Sequence, residues 1–258
     1  MSVRLAAVEY GTGSPVAILH GLFGSARNWG TIARHLAADH RVVAFDLRNH
    51  GASPWADTMS YPEMAEDVRA GLAAAGCLPA RLIGHSMGGK AAMTLALADP
   101  AAVAALVVVD VAPVQYKPHH LGLAQAMRGL DLGGLDRRAE ADRRLAASVP
   151  DPAVRGFLLQ NLVFDPLPHW RINLDAIERE MPALTGFPEP PPGAVYNGPT
   201  LFVAGAGSDY VRPEDEPAIR RLFPQARIVR IEGAGHWVHA EQPQAFLATV
   251  EPFLSGAA

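Results

Sequence analysis

The sequence predicts an α/β fold: a mostly parallel central sheet with helices on both faces and a helical insertion late in the chain. Three observations predict it. Short apolar runs such as Val16–Leu19 (VAIL) and Ala104–Val109 (AALVVV) alternate with stretches of helical spacing. Continuous apolar runs mark strands buried on both faces, and strand–helix alternation marks a parallel sheet covered on both sides. At Arg81–Met93 (RLIGHSMGGKAAM) a strand, a Gly-x-Ser-x-Gly turn and a helix follow without a break. From Gln115 to Tyr196 the alternation stops, and about 80 residues of helical pattern separate two strands where a crossover needs only a dozen or so.

In chain order, Val3–Glu9 is expected as an edge strand, followed by a turn at Gly11–Pro15 and the buried strand Val16–Leu19. The loop His20-Gly21-Leu22-Phe23-Gly24 leads to a helix over Asn28–Ala38, with Trp29, Ile32, Ala33 and Leu36 on one face. Arg41–Phe45 is the next strand, and Asp46–Pro54 turns the chain. Tyr61–Gly76 is a helix with Met64, Val68 and Leu72 inward, stopped by glycine. After the strand to Ile83 and the helix Gly89–Ala98, the run Ala104–Val109 reads as a strand ending at Asp110. Within the insertion, helices are expected around Leu121–Leu130, Leu135–Ser148, Pro152–Leu162 and Leu174–Leu184, with no strand among them. The sheet resumes at Thr200–Ala204. Then come a helix at Pro217–Phe223, a strand at Ala226–Ile231, the loop Gly233–His236 and a last helix at Pro243–Leu254. The expected division is a core of residues 1–114 and 197–258, with 115–196 as a cap.

Composition narrows the class of function. The 258 residues are 49% hydrophobic and 19% charged, values of a folded globular chain. Net charge is −4 with scattered Lys and Arg, so no nucleic-acid partner is expected. The longest apolar stretch, Ala101–Val109, is far short of the ~20 residues that span a bilayer, so no membrane partner is expected either. The N-terminus carries no secretory pattern, and a single cysteine, Cys77, permits no intramolecular disulfide. A cytoplasmic location follows as the expectation, and no feature of the sequence speaks to oligomeric state.

The chemistry centres on Ser86. A sharp strand-to-helix turn holds a serine in a strained conformation and lifts its hydroxyl clear of the sheet, while Gly84 and Gly88 allow close packing around it. A serine hydroxyl needs a base. Reactive groups of a parallel sheet collect beyond the C-terminal ends of its strands, which nominates His20, Asp46, Ser86, Asp110, Ser208, Asp209 and His236. His236, in a glycine-flanked loop after the final strand, is the best base, with His239 as fallback. His85 within the elbow is expected to point away from the serine, and His20 to brace its loop. Asp110 and Asp209 both satisfy the order Ser, Asp, His for a carboxylate that orients the base. The oxyanion donors are expected to be the amides of Met87 and Leu22, with Phe23 as neighbour. No metal-ligand spacing and no dinucleotide-binding glycine motif is present, so no metal or cofactor is expected.

The motifs LHGLFGS, DLRNHGASP, GHSMGGK, the strand to Asp110 and GAGHWVHAEQP together resemble the α/β-hydrolase family over nearly the whole chain. DLRNHG, GHSMGGK and VVDVAPV are most similar to the small YbfF-type acyl esterases. The resemblance implies an α/β-hydrolase fold, a Ser-His-acid triad, acyl transfer through an acyl-enzyme, and no cofactor. Most relatives place the acid in a pattern G-x-x-D-x-x-V, which from Gly205 puts Ser208 at the acid position and Asp209 one place late. YbfF-type esterases place it earlier, which maps to Asp110 and leaves Ser208 as a secondary hydrogen-bonding partner near His236. The expected function is therefore a serine esterase of small to medium acyl esters, or acyl thioesters. The substrate pocket is expected in the insertion, among Leu121, Met127, Phe157, Leu158, Phe164 and Trp170, unless these are simply inner faces of cap helices. Activity should follow the neutral fraction of His236 and fall when that ring takes up a proton. The same scaffold also serves carbon–carbon bond hydrolases, lyases, perhydrolases and non-catalytic ligand receptors.

Overall fold

The structure, a computed structural model, describes residues 2–117 and 120–256. Residues 1, 257 and 258 of the expected core and residues 118 and 119 of the expected insertion lie outside the described residues. In chain order, β1 (Ala7–Tyr10), β2 (Ser14–Leu19), α1 (Gly30–Leu36), β3 (His40–Phe45), α2 (Tyr61–Ala74), β4 (Ala80–His85), α3 (Met87–Ala98) and β5 (Val103–Val109) form the first half. Then follow α4 (Leu121–Arg128), α5 (Arg138–Leu145), α6 (Pro152–Leu158), β6 (Leu162–Val163), β7 (His169–Trp170) and α7 (Leu174–Thr185). The chain closes with β8 (Thr200–Gly205), α8 (Glu216–Leu222), β9 (Ala226–Ile231), α9 (Val238–Glu241) and α10 (Pro243–Leu254).

Seven strands make one sheet in the order β1-β3-β2-β4-β5-β8-β9. Only β1 runs antiparallel, on β3; the other neighbours pair in parallel. The edge strand is shorter than expected, and two amides ahead of it are taken by side chains. The Val3 amide donates to Asp67 Oδ1 at 2.7 Å and the Ala6 amide to Ser53 Oγ at 2.8 Å.

Successive strand residues face opposite sides of the sheet. Ile18, Ile83 and Val107 pack with Trp29 and Ile32 near and on α1 and with Phe246 and Val250 of α10. Leu19, Leu82, Leu106 and Val108 pack on the other face with Val68 of α2 and Leu95 of α3. α2 starts on a capping box, in which Ser60 and Glu63 exchange side-chain-to-backbone hydrogen bonds.

The insertion between β5 and β8 shares the second of these cores, through Met127, Leu145, Leu158, Ile177 and Met181. Its first three helices are shorter than expected, and α7 runs to Thr185. α6 ends at Leu158, and the chain turns through Leu159–Asn161 into a hairpin of β6 on β7. The expectation of a strand-free insertion with a helix to Leu162 is thus corrected; two-residue strands are too short to leave an alternating pattern. Several hydrogen bonds fasten the insertion to the core. Asn161 Nδ2 donates to the Phe23 carbonyl at 2.8 Å, the Asn173 amide to the Asn49 carbonyl at 3.0 Å, and Tyr61 Oη to the Leu184 carbonyl at 2.6 Å. Among the described residues, no helix is long and apolar enough to cross a membrane.

Candidate active site

β2 lies between β3 and β4, so the chain leaves it in one direction and returns on the other side. Such a switch opens a crevice beyond the C-terminal strand ends, and here the loop after β2 and the turn after β4 meet in it. Ser86 is that turn. Its backbone sits at φ 51°, ψ −117°, a strained conformation for a residue with a side chain. The Ser86 amide donates to the Val109 carbonyl at 3.0 Å, and its carbonyl accepts from Lys90 N at 3.0 Å, which locks the turn between sheet and helix. The flanking glycines are required by space: a Cβ on Gly84 would lie 2.4 Å from the Gly88 carbonyl oxygen, and one on Gly88 2.4 Å from that of Leu19. α3 starts at Met87, two residues earlier than the pattern suggested, directly after the serine.

His236 follows β9 and is fixed on three sides. Its Nδ1 lies 2.7 Å from Asp110 Oδ2, its ring stacks on Tyr210 at 4.1 Å between centroids, and its carbonyl accepts from His85 Nε2 at 2.9 Å. With Nδ1 donating to the carboxylate, Nε2 of the neutral ring is the acceptor nitrogen. His85, far from idle, thus holds the backbone of the His236 loop; burial drives its pKa well below the ordinary value, so it is neutral.

Asp110 is fully buried at the end of β5, with φ at +50°. Its Oδ1 accepts from the Gly205 amide at 3.0 Å, and Oδ2 accepts from Ser208 Oγ at 2.5 Å as well as from His236. A carboxylate buried this completely needs such saturation of its lone pairs. Ser208 therefore reaches His236 through Asp110. Asp209 is exposed and makes no hydrogen bond to His236 among the described residues. His239 lies in α9, stacked on Trp29 at 3.8 Å, and burial pulls its pKa down to about 3. It is packed as a neutral core ring.

The loop after β2 divides its two amides between different tasks. The Phe23 amide donates to His50 Nε2 at 3.1 Å, so it is not free for an oxyanion. The Leu22 amide and the Met87 amide, at the helix N-terminus, are not spent on any other described residue. His20 and His50 brace this region. Each Nδ1 bonds a carbonyl, of Gly21 and Arg48, and each Nε2 accepts an amide, of Leu47 and Phe23. Burial pulls His20 to about 4 and His50 to about 3, which keeps both Nε2 atoms available as acceptors near neutral pH. His50 was not among the sequence-derived candidates; its partner lies 27 residues away.

Two cavities meet at Ser86. The larger, about 260 Å³, is bordered by His236, Trp237, Phe157, Leu158 and Trp29. The smaller, about 30 Å³, is bordered by Met87, Lys90, Tyr116, Leu184 and Met181; Leu22 and Tyr210 border both. Of the insertion residues expected to line a pocket, Phe157 and Leu158 do so, whereas Leu121, Met127, Phe164 and Trp170 pack in the core. Among the described residues no three His, Cys, Asp or Glu side chains are grouped to hold a metal ion.

A model of the α/β hydrolase fold family matches residues 14–243. The chain is 41% identical to sn-1-specific diacylglycerol lipase ABHD11 of Mus musculus, over 93% of this chain and 80% of that protein. It is 37% identical to Esterase YbfF of Escherichia coli, over 94% of this chain and 93% of that protein. Among solved structures, a marine microorganism esterase superposes with a TM-score of 0.93 at 38% identity, covering 98% of this chain and 100% of its own. With a mostly parallel sheet, a strained serine at its switch point and matches that run nearly end to end, the chain belongs to the α/β-hydrolase family.

Proposed function

We propose that the chain is a serine hydrolase of carboxylic esters, acting on small-molecule acyl esters and, by the same chemistry, acyl thioesters. The observation that carries this reading is the strained Ser86 facing a cavity shared with His236, whose Nδ1 is held at 2.7 Å by a buried carboxylate. Relatives named as an esterase and a diacylglycerol lipase support the ester chemistry.

Ser86 Oγ attacks the carbonyl carbon while His236 Nε2 takes its proton. Asp110 keeps Nδ1 protonated, aims the ring and stabilises the imidazolium. The amides of Leu22 and Met87 receive the negative charge that develops on the carbonyl oxygen, each worth about 3 kcal/mol in the transition state. The imidazolium then protonates the leaving oxygen, the carbon–oxygen bond breaks, and the acyl group remains on Ser86. Water, deprotonated by the same Nε2, releases the acid. Residues 115–196 act as a cap over the core of residues 1–114 and 197–258 and supply part of the substrate cavity. A cytoplasmic setting, without nucleic-acid or membrane partners, agrees with a single buried cysteine and the low charge.

The test is hydrolysis of soluble acyl esters by wild type and by Ser86→Ala, both checked for folding. The variant is expected to lose at least about 10³-fold in kcat. Equal activity of the two proteins would refute the assignment.

A further inference from the structure

The two cavities at Ser86 differ in size and in the groups that border them, and the reaction assigns each to one end of the ester. This deepens the serine-hydrolase reading and rests on it. During collapse of the tetrahedral intermediate the leaving oxygen must lie within reach of His236 Nε2, which gives it a proton. His236 borders the large cavity and not the small one. The oxyanion is directed to the amides of Leu22 and Met87, and Met87 borders only the small cavity. With the alcohol oxygen turned to His236, the remaining substituent, the acyl chain, points into the small cavity. A polar cleft between Gln115–Lys117 and Gly207–Arg212 also touches His236, but Ser86 does not border it, so neither substituent of the reacting carbon starts there.

We infer that the substrate is an ester of a short acyl group, acetyl or propionyl, with a large apolar alcohol. About 30 Å³ has room for roughly two water-sized groups, which a methyl or ethyl group fills. The large cavity, about 260 Å³ and walled by Phe157, Leu158, Trp29 and Trp237, takes an extended apolar alcohol.

A network of hydrogen bonds frames the small cavity. Lys90, 2% exposed and one turn beyond Ser86 on α3, reaches the entry of the insertion and the end of its last helix, α7. Its Nζ donates to the Val114 carbonyl at 2.9 Å, to Thr185 at 3.0 Å and to Gly186, and lies 4.6 Å from the centre of the Tyr116 ring. Tyr116 Oη donates to the Tyr210 carbonyl at 2.6 Å, and Tyr61 Oη is spent on Leu184. Lys90 is thus a positioning residue: it ties the entry of the insertion and the end of α7 to the nucleophile helix and sets the width of the acyl space.

The experiment uses the wild-type protein and two ester series. One varies the acyl group from acetate to octanoate on a fixed naphthyl alcohol; the other varies the alcohol from methyl to octyl on a fixed acetate. The expected result is that kcat/KM falls by about ten-fold or more between propionate and hexanoate and rises by at least as much between methyl and hexyl acetate. A maximum at hexanoate or longer, with an alcohol series that is flat, would overturn the assignment of the cavities. In a folded Lys90→Met variant the acyl maximum should move to longer chains while the alcohol profile keeps its shape. An unmoved acyl profile would remove Lys90 from the account, and the wild-type series stands whatever that variant does. Absence of turnover on every ester, or full activity in Ser86→Ala, would instead strike the serine-hydrolase reading beneath it.

Discussion

Asp110 and Asp209 are one strand apart in the sheet and look alike in sequence, yet only Asp110 is enclosed. Three donors, from Gly205, Ser208 and His236, converge on its carboxylate. Asp110→Asn keeps the shape but turns a donor N–H toward His236 Nδ1, which makes Nδ1 the acceptor and moves the ring proton to Nε2, so kcat is expected to fall by about 10⁴-fold with little change in fold. Asp209→Asn should leave kcat within about two-fold, as expected of an exposed side chain away from the reacting atoms. Steady-state kinetics on the pair decides between them, and a large loss in Asp209→Asn alone would reverse the assignment. Ser86 and His236 were legible from local pattern because the turn and the glycine-flanked loop are written in neighbouring residues. The choice of acid was not: spacing left both aspartates open until a family resemblance was weighed. The engagement of Phe23 by His50 was invisible for a related reason, since it depends on a loop packing that no local pattern encodes.

At the level of elements, the strand–turn–helix around Ser86 depends on close backbone approach. Gly88→Ala would drive a Cβ to 2.4 Å from the Leu19 carbonyl oxygen, a backbone atom of the central strand β2. The expected outcome is a loss of about 3 kcal/mol or more in stability together with activity, read from denaturant midpoints and ester turnover. A variant as stable as wild type would mean that the turn relaxes freely. The main strands and helices of the core were legible, because buried parallel strands give continuous apolar runs and their helices a clear stripe. The insertion was legible as a helical region but not in detail. Its hairpin pairs two residues with two, and its helix ends are set by contacts such as Asn161 to Phe23 and Asn173 to Asn49, which join residues far apart in sequence.

The whole molecule carries a store of neutral histidines. His20, His50, His85 and His239 are all buried, with pKa values drawn down to about 4, about 3, well below normal and about 3. In the unfolded chain each would titrate near its ordinary value of about 6.5. Below that pH the unfolded chain takes up protons that the folded protein refuses, so the stability these rings contribute is complete above it and lost as pH falls toward about 4 for His20 and about 3 for His50 and His239. Each contributes a slope of about 1.4 kcal/mol per pH unit within that window. Urea midpoints should therefore drop steeply between about pH 7 and 5, and a flat midpoint would contradict the buried, neutral state of these rings. Activity should decline over the acid side as well, because the base must be neutral to accept the serine proton; separating the two requires checking that the protein is folded at each pH.

The central claim is that Ser86 carries the acyl group, and the most direct measurement is the mass of the protein during turnover. Wild type mixed with a naphthyl acetate and quenched in acid within the first turnovers should show a fraction heavier by one acetyl group, with the added mass on the peptide containing Ser86. The Asp110→Asn variant should acquire it more slowly and Ser86→Ala not at all. An adduct on another residue, or ester hydrolysis by wild type that is unaffected by Ser86→Ala, would contradict the account.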